Sequence, residues 1–268
     1  MTKAAISNRN YLTYLVGNTI SLHGLWIYRV ALGWFAWEIS GSEFWVGVVA
    51  FTQFAPAVVF GPVFGVLADR FDRRAVSLLI NSMSILNMLL LGALTLAGNV
   101  DIAILALFSL MQGTLDGAHM PVRMSIVPNL VTRDQLESAI ATTSISFNVS
   151  RFVGPALAGF VIAHYGVAVA FIVNGVSYLT LIAALLVVRL TPGAERSMPR
   201  RRVWHEMAEG VAYAWRHPRI RALLIIVAVA SVFGRGALEM LPAFADAVYR
   251  GGSAALATLT SAIGAGAV

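Results

Sequence analysis

Ionisable residues stand inside long apolar stretches of this chain: Arg29, Asp116, His119, Arg151, Arg235 and Glu239. A charge at the centre of a bilayer costs at least about 2.5–3.5 kcal/mol, so each should face the interior of a helix bundle and find a partner there. Asp116 and His119, three residues apart, share one helical face. A carboxyl group enclosed in a bundle can bind and release a proton as its surroundings change. Asp116 is therefore the leading candidate for a proton carrier and His119 for a relay; the competing reading is a gate or a packing hydrogen bond. Arg151 and Arg235 offer positive charge to an anionic substrate, or to Asp246 and Asp116. Arg123, near the end of its stretch, can snorkel toward headgroups. Trp26 and Trp34 are the candidates for lining a cavity, whereas Trp37 and Trp45 fit an interfacial aromatic belt.

Other chemistry is excluded by what the chain lacks. Cysteine is absent and Lys3 is the only lysine, which removes disulfides, thiolate metal sites, a P-loop lysine and a Schiff-base lysine. No Gly-x-Ser-x-Gly elbow occurs, and His205-Glu206 lacks the second histidine of a zinc helix. No catalytic residue, metal or other cofactor is expected, and the chain does not read as an enzyme.

The elements that must hold these residues follow from composition. Of 268 residues, 58% are hydrophobic and 12% charged, against about 25% charged in a soluble domain. Mean hydropathy is +0.77. About 20 mostly apolar residues span a bilayer core, and seven stretches qualify: 11–37, 44–68, 75–97, 102–122, 138–163, 167–188 and 220–246. An eighth begins near Ala254 and is still running at Val268. The spacing predicts an all-α polytopic membrane protein, with a six-helix bundle over 1–188, an arginine-rich linker over 189–219 and the start of a second bundle over 220–268. Turns are expected at Gly41, Gly98 and Gly166, and a capping box at Thr132–Gln135 should open the fifth span. In the linker, Trp204, Met207, Ala208, Val211 and Trp215 recur at helical spacing, as in a helix lying on the membrane surface or on the end of the bundle.

With the N-terminus inside the cell, fifteen of the nineteen basic residues fall in cytoplasmic connectors and Arg250 alone in an outer one. This is the positive-inside pattern. The pI near 10.2 thus reports topology and anionic lipid, not nucleic acid.

After the second span comes Gly65-Val-Leu-Ala-Asp69-Arg70-Phe-Asp72-Arg73-Arg74. Gly65 permits close helix approach, and Asp69 can pair with an arginine or the positive end of a helix. Gly65, Asp69, Arg70, Arg73 and Arg74 resemble the signature loop between helices 2 and 3 of the major facilitator superfamily. Asp72 replaces the usual glycine, which puts a left-handed turn in doubt and admits an extra ion pair. Gly154, Pro155 and Gly159 in the fifth span partly resemble the Gly-Pro motif of the superfamily's exporters; packing alone is the other reading. Spans 1 and 7 compare weakly at an offset of 210, with Ser21 against Ser231, Gly24 against Gly234, and Arg29 against Glu239.

The resemblance, closest in type to enterobactin exporters and macrolide-efflux proteins, implies a secondary active exporter of a small molecule such as a siderophore or drug. It implies alternating access, protons as the driving ion, a bilayer and a small-molecule substrate as partners, and a multi-pass monomer in the inner membrane. It also places Arg29 and Glu239 across a central cavity, where they would pair in one access state; the alternative is a local polar neighbour for each. Because the eighth span is unfinished, the chain reads as a truncated transporter, with a non-transporting or receptor-like bundle as the alternative.

Overall fold

In a bilayer the backbone must satisfy its own hydrogen bonds, which favours long helices over irregular chain. The computed structural model describes residues 4–190, 209 and 212–265, apart from the side chains of 62–63, 65–70, 228, 231–239, 253–254, 257, 261 and 263–265. Six helices come first: α1 (Arg9–Ser40), α2 (Glu43–Arg70), α3 (Arg73–Leu96), α4 (Ile102–Ile126), α5 (Leu136–Tyr165) and α6 (Val167–Val187). Then follow α7 (Pro218–Glu239) and α8 (Gly252–Ala265). No strand occurs among the described residues.

Short polar side chains start these helices and glycines stop them. Asn8, Asp72 and Asp101 cap α1, α3 and α4 by accepting from backbone N–H groups of the first turn. Gly41, Gly98 and Gly166 take φ of 56°, 69° and 81° at the expected turns, the left-handed region that glycine enters without strain. Thr132 N donates to Gln135 Oε1 at 3.4 Å in the turn that leads into α5.

One expectation needs correction. The stretch 220–246 is not one helix: α7 ends at Glu239, a short turn spans Leu241–Ala243, and a π-helical turn covers Phe244–Val248. Pro242 has no N–H to donate and clashes with the preceding turn, which favours a break here, although α4 and α5 continue through Pro121 and Pro155. By length and apolar composition alone, five helices among the described residues qualify to cross a membrane: α2 to Gly61, α3, α4 extended to Asn129, α5 from Arg133, and α6. The 32-residue α1 is long enough but more polar, and the reason is its position. It packs along both α5 and α6, burying Asn18 and Ser21. Elsewhere α2 lies along α4, α3 along α6, and α8 against α5.

Small residues allow the close approaches. A Cβ on Gly113 of α4 would stand 2.1 Å from the Gln53 carbonyl oxygen of α2, and one on Gly117 would stand 2.9 Å from Ala57 Cα. Without a hydrophobic effect between helices in lipid, such contact is what holds them together.

The buried apolar residues fall into two clusters stacked along the bundle. One holds Leu22, Met88, Leu105, Ala158 and Phe171. The other holds Leu15, Ile80, Ala118, Ala139 and Leu185. On α1, α3, α4 and α5 the residues between the two clusters are polar and buried: Asn18 and Ser21, Ser84, Gln112, Ser146 and Ser150. A polar layer thus crosses the middle of the bundle.

Candidate functional site

The polar layer is organised around Gln112. Its amide nitrogen lies 3.0 Å from Asp116 Oδ1, 3.2 Å from the Tyr178 hydroxyl and 3.4 Å from Ser84 Oγ. Its carbonyl oxygen accepts from Asn87 Nδ2 at 3.2 Å. Ser84 Oγ in turn meets His119 Nε2 at 3.4 Å, and the His119 ring stacks on Tyr178 with centroids 5.6 Å apart. Asp116 and His119 share a helix face as expected, but they are joined through Gln112 and Ser84, not directly. Asp116 Oδ2 is buried and has no hydrogen-bond partner, an arrangement that is costly for a carboxylate unless positive charge lies near. It does: the charges of Arg29 and Arg123 both act on Asp116.

Arg123 does not snorkel. Its Nη2 donates to Ser21 Oγ on α1 at 3.3 Å and its Nε is buried, because α4 turns this face inward to α1. Arg29 lies against aromatic rings, its guanidinium carbon 4.9 Å from the centre of Trp26 and 5.5 Å from that of Phe54. Arg151 approaches the same Trp26 ring at 6.0 Å, and Phe147 meets it edge-on at 5.9 Å. Trp26 thus packs against two cations and Phe147 where α1 meets α5. Trp37 instead donates Nε1 to Asp246 Oδ2 at 3.0 Å, so the partner found for Asp246 is this indole. The side chains of Arg235 and Glu239, and with them the expected Arg29–Glu239 pair, lie outside the described residues.

At the end of the bundle where α2 meets α3, the side chains of Gly65, Asp69 and Arg70 also lie outside the described residues. Asp72 is not in a left-handed turn: its φ is −58°, and its Oδ1 accepts from Ala75 N at 2.7 Å as the cap of α3. Arg73 Nη1 donates to the Ser125 carbonyl at 3.3 Å, at the last turn of α4. Arg74 Nη2 donates to the Val188 carbonyl just beyond α6. Each cation therefore sits at the negative end of a helix dipole. On α5, Gly154, Pro155 and Gly159 are all buried. A Cβ on Gly154 would stand 2.3 Å from Trp26 Cβ, so this glycine lets α5 close on the aromatic wall. Of the surface helix expected around Trp204, the residues before 209 lie outside the described ones.

A family model described as transmembrane secretion effector matches residues 2–268. The chain belongs to this family of major facilitator superfamily transporters. It is 24% identical to the staphyloferrin A transporter of Staphylococcus aureus, over 86% of this chain and 58% of that protein. It is 29% identical to the multidrug efflux pump Tap of Mycolicibacterium fortuitum, over 82% of this chain and 54% of that protein. The chain thus spans little more than half the length of these relatives. A crystal structure of a bacterial homologue of the human lysosomal transporter Spinster, inward-facing and unoccupied, superposes with a TM-score of 0.72 at 17% identity, covering 96% of this chain and 59% of that one. That likeness is one of fold.

The residues that sequence reasoning passed over are Gln112, Ser84, Asn87, Tyr178 and His23. His23 Nδ1 lies 3.2 Å from Ser150 Oγ across the α1–α5 seam, beside a 2.6 Å contact between Thr19 and Ser146 hydroxyls. The signal was present on α3, where Ser77, Asn81 and Ser84 recur at helical spacing in an otherwise apolar span and are all buried. A polar stripe on a membrane helix marks its inward face.

Proposed function

We propose that this chain supplies the first bundle, and part of the second, of a secondary active exporter of small molecules that works by alternating access and is driven by protons. The supporting observation is Asp116: one carboxyl oxygen bonded to Gln112, the other buried without a partner, with Arg29 and Arg123 acting on it from α1 and α4. Protonation of Asp116 would remove the negative charge that Arg29 and Arg123 feel from it, and Arg123 is tied to α1 through Ser21. Proton uptake would thereby change how α1 and α4 hold together, which is the link between ion and conformation that coupling requires. The efflux roles in the names of relatives agree with this direction of transport.

The test uses a substrate identified by screening drugs and siderophores for efflux from cells expressing the protein. In proteoliposomes Asp116→Asn should abolish accumulation driven by a proton gradient while leaving gradient-free exchange of labelled for unlabelled substrate intact. Full gradient-driven accumulation by the variant would reject Asp116 as the coupling group.

A further inference from the structure

We infer that the first bundle carries a binding site for an organic anion, built by Arg29 and Arg151 on the two sides of the α1–α5 seam with Trp26 as its wall. The inference deepens the exporter reading by naming the chemical class of its substrate, a small molecule bearing carboxylates, and it rests on that reading.

Both guanidiniums approach one indole ring, at 4.9 and 6.0 Å from its centre, so their central carbons are at most about 11 Å apart, a span that one ligand with several carboxylates can bridge. Two cations brought together in a bundle repel one another and lose hydration, a cost that needs compensation. The aromatic faces of Trp26 and Phe54 supply part of it, since a ring quadrupole attracts a cation. They do not supply hydrogen-bond acceptors. Arg29 Nε and Trp26 Nε1 are both buried without a hydrogen-bond partner, and both are donors only. A carboxylate is an acceptor only, carries the missing charge, and fits the planar fork of a guanidinium with two parallel bonds.

The surroundings agree. Arg29, Trp26 and Arg151 are only partly buried as residues, so part of each side chain is open to a ligand, while Arg29 Nε and Trp26 Nε1 themselves are enclosed and meet it only when the seam between α1 and α5 loosens. Gly154, one turn from Arg151, leaves no Cβ between α5 and Trp26, which lets the second arginine close on the ring of the first. Asp116 lies near enough for the charge of Arg29 to act on it. An anion bound at Arg29 would therefore compete with Asp116 for the same positive charge, and a protonated Asp116 would leave Arg29 to the ligand.

The test is equilibrium binding to the purified chain in nanodiscs with no gradient, using citrate as the organic anion, chloride at matched ionic strength, and tetraphenylphosphonium as a lipophilic cation. Citrate should bind. Arg29→Gln and Arg151→Gln should each weaken it by about tenfold or more, the scale of a lost charge-assisted hydrogen bond. Arg151→Lys, which keeps the charge and tolerates the same packing, should recover part of the affinity. Unchanged citrate affinity in Arg151→Gln, no citrate binding by the folded parent chain, or equal competition by chloride would each overturn the assignment, as would tetraphenylphosphonium binding to the parent chain as tightly as citrate. Because no transport is measured, failure here leaves proton-driven export standing, and failure of gradient-driven transport leaves the anion site standing.

Discussion

Gln112 shows what a single uncharged residue does in the middle of a membrane bundle. Its amide touches α3, α6 and the α4 carboxylate at once, through Ser84, Tyr178 and Asp116. Gln112→Leu keeps the bulk and removes every one of those bonds, leaving several buried polar groups without this partner. The expected cost is about 1–3 kcal/mol, read as a lower melting temperature in detergent, whereas Asp116→Asn, which can still accept from Gln112, should cost much less. Charged residues were legible in the sequence because a charge in an apolar span demands an explanation. Gln112 and Ser84 were not, since hydroxyls and amides are tolerated in membrane helices on any face, and only the packing of α3, α4 and α6 says which of them meet. For the same reason sequence alone left Arg123 snorkelling, when α4 in fact aims it at Ser21.

At the scale of elements, helix ends and helix contacts follow different rules. Ends were legible: the turns at Gly41, Gly98 and Gly166 stand where the sequence puts them, because a local φ requirement is carried by one residue. Contacts were not, since Gly113 and Gly61 look alike in sequence. A Cβ on Gly113 would meet the Gln53 backbone at 2.1 Å, while one on Gly61 would meet nothing within 4 Å. Gly113→Ala should therefore force α2 and α4 apart and destabilise the bundle by about 1–3 kcal/mol. Gly61→Ala should be neutral or stabilising by up to about 1 kcal/mol from helix propensity. Thermal unfolding of the two variants side by side checks the contrast. The first turn of α3 behaves as a clamp: Arg73 and Arg74 hold the ends of α4 and α6. Arg73→Ala and Arg74→Ala should each lose about 0.3–2 kcal/mol and open that end to proteolysis, most visibly after Ser125 and Val188.

Across the whole molecule the hydrogen bonds gather the connectors at two ends. Asn8 reaches Leu130, Asn10 reaches Arg189, Arg73 reaches Ser125 and Arg74 reaches Val188, so the start of α1 and the turns after α2, α4 and α6 share one end. Gly41, Gly98 and Gly166 mark the turns after α1, α3 and α5 at the other. The alternation drawn from arginine positions is thus the alternation of the fold, and the buried polar layer lies between the two ends. The account depends on that bundle lying across a bilayer with its arginine-bearing end in the cytoplasm. The chain contains no cysteine, so single cysteines can report sidedness without background. Ser42→Cys, Asn99→Cys and Arg133→Cys, expressed separately in intact cells, are treated with a membrane-impermeant maleimide before and after permeabilisation. Labelling at 42 and 99 in intact cells, and at 133 only after permeabilisation, is the predicted result; labelling of 133 from outside, or of all three alike, would contradict it.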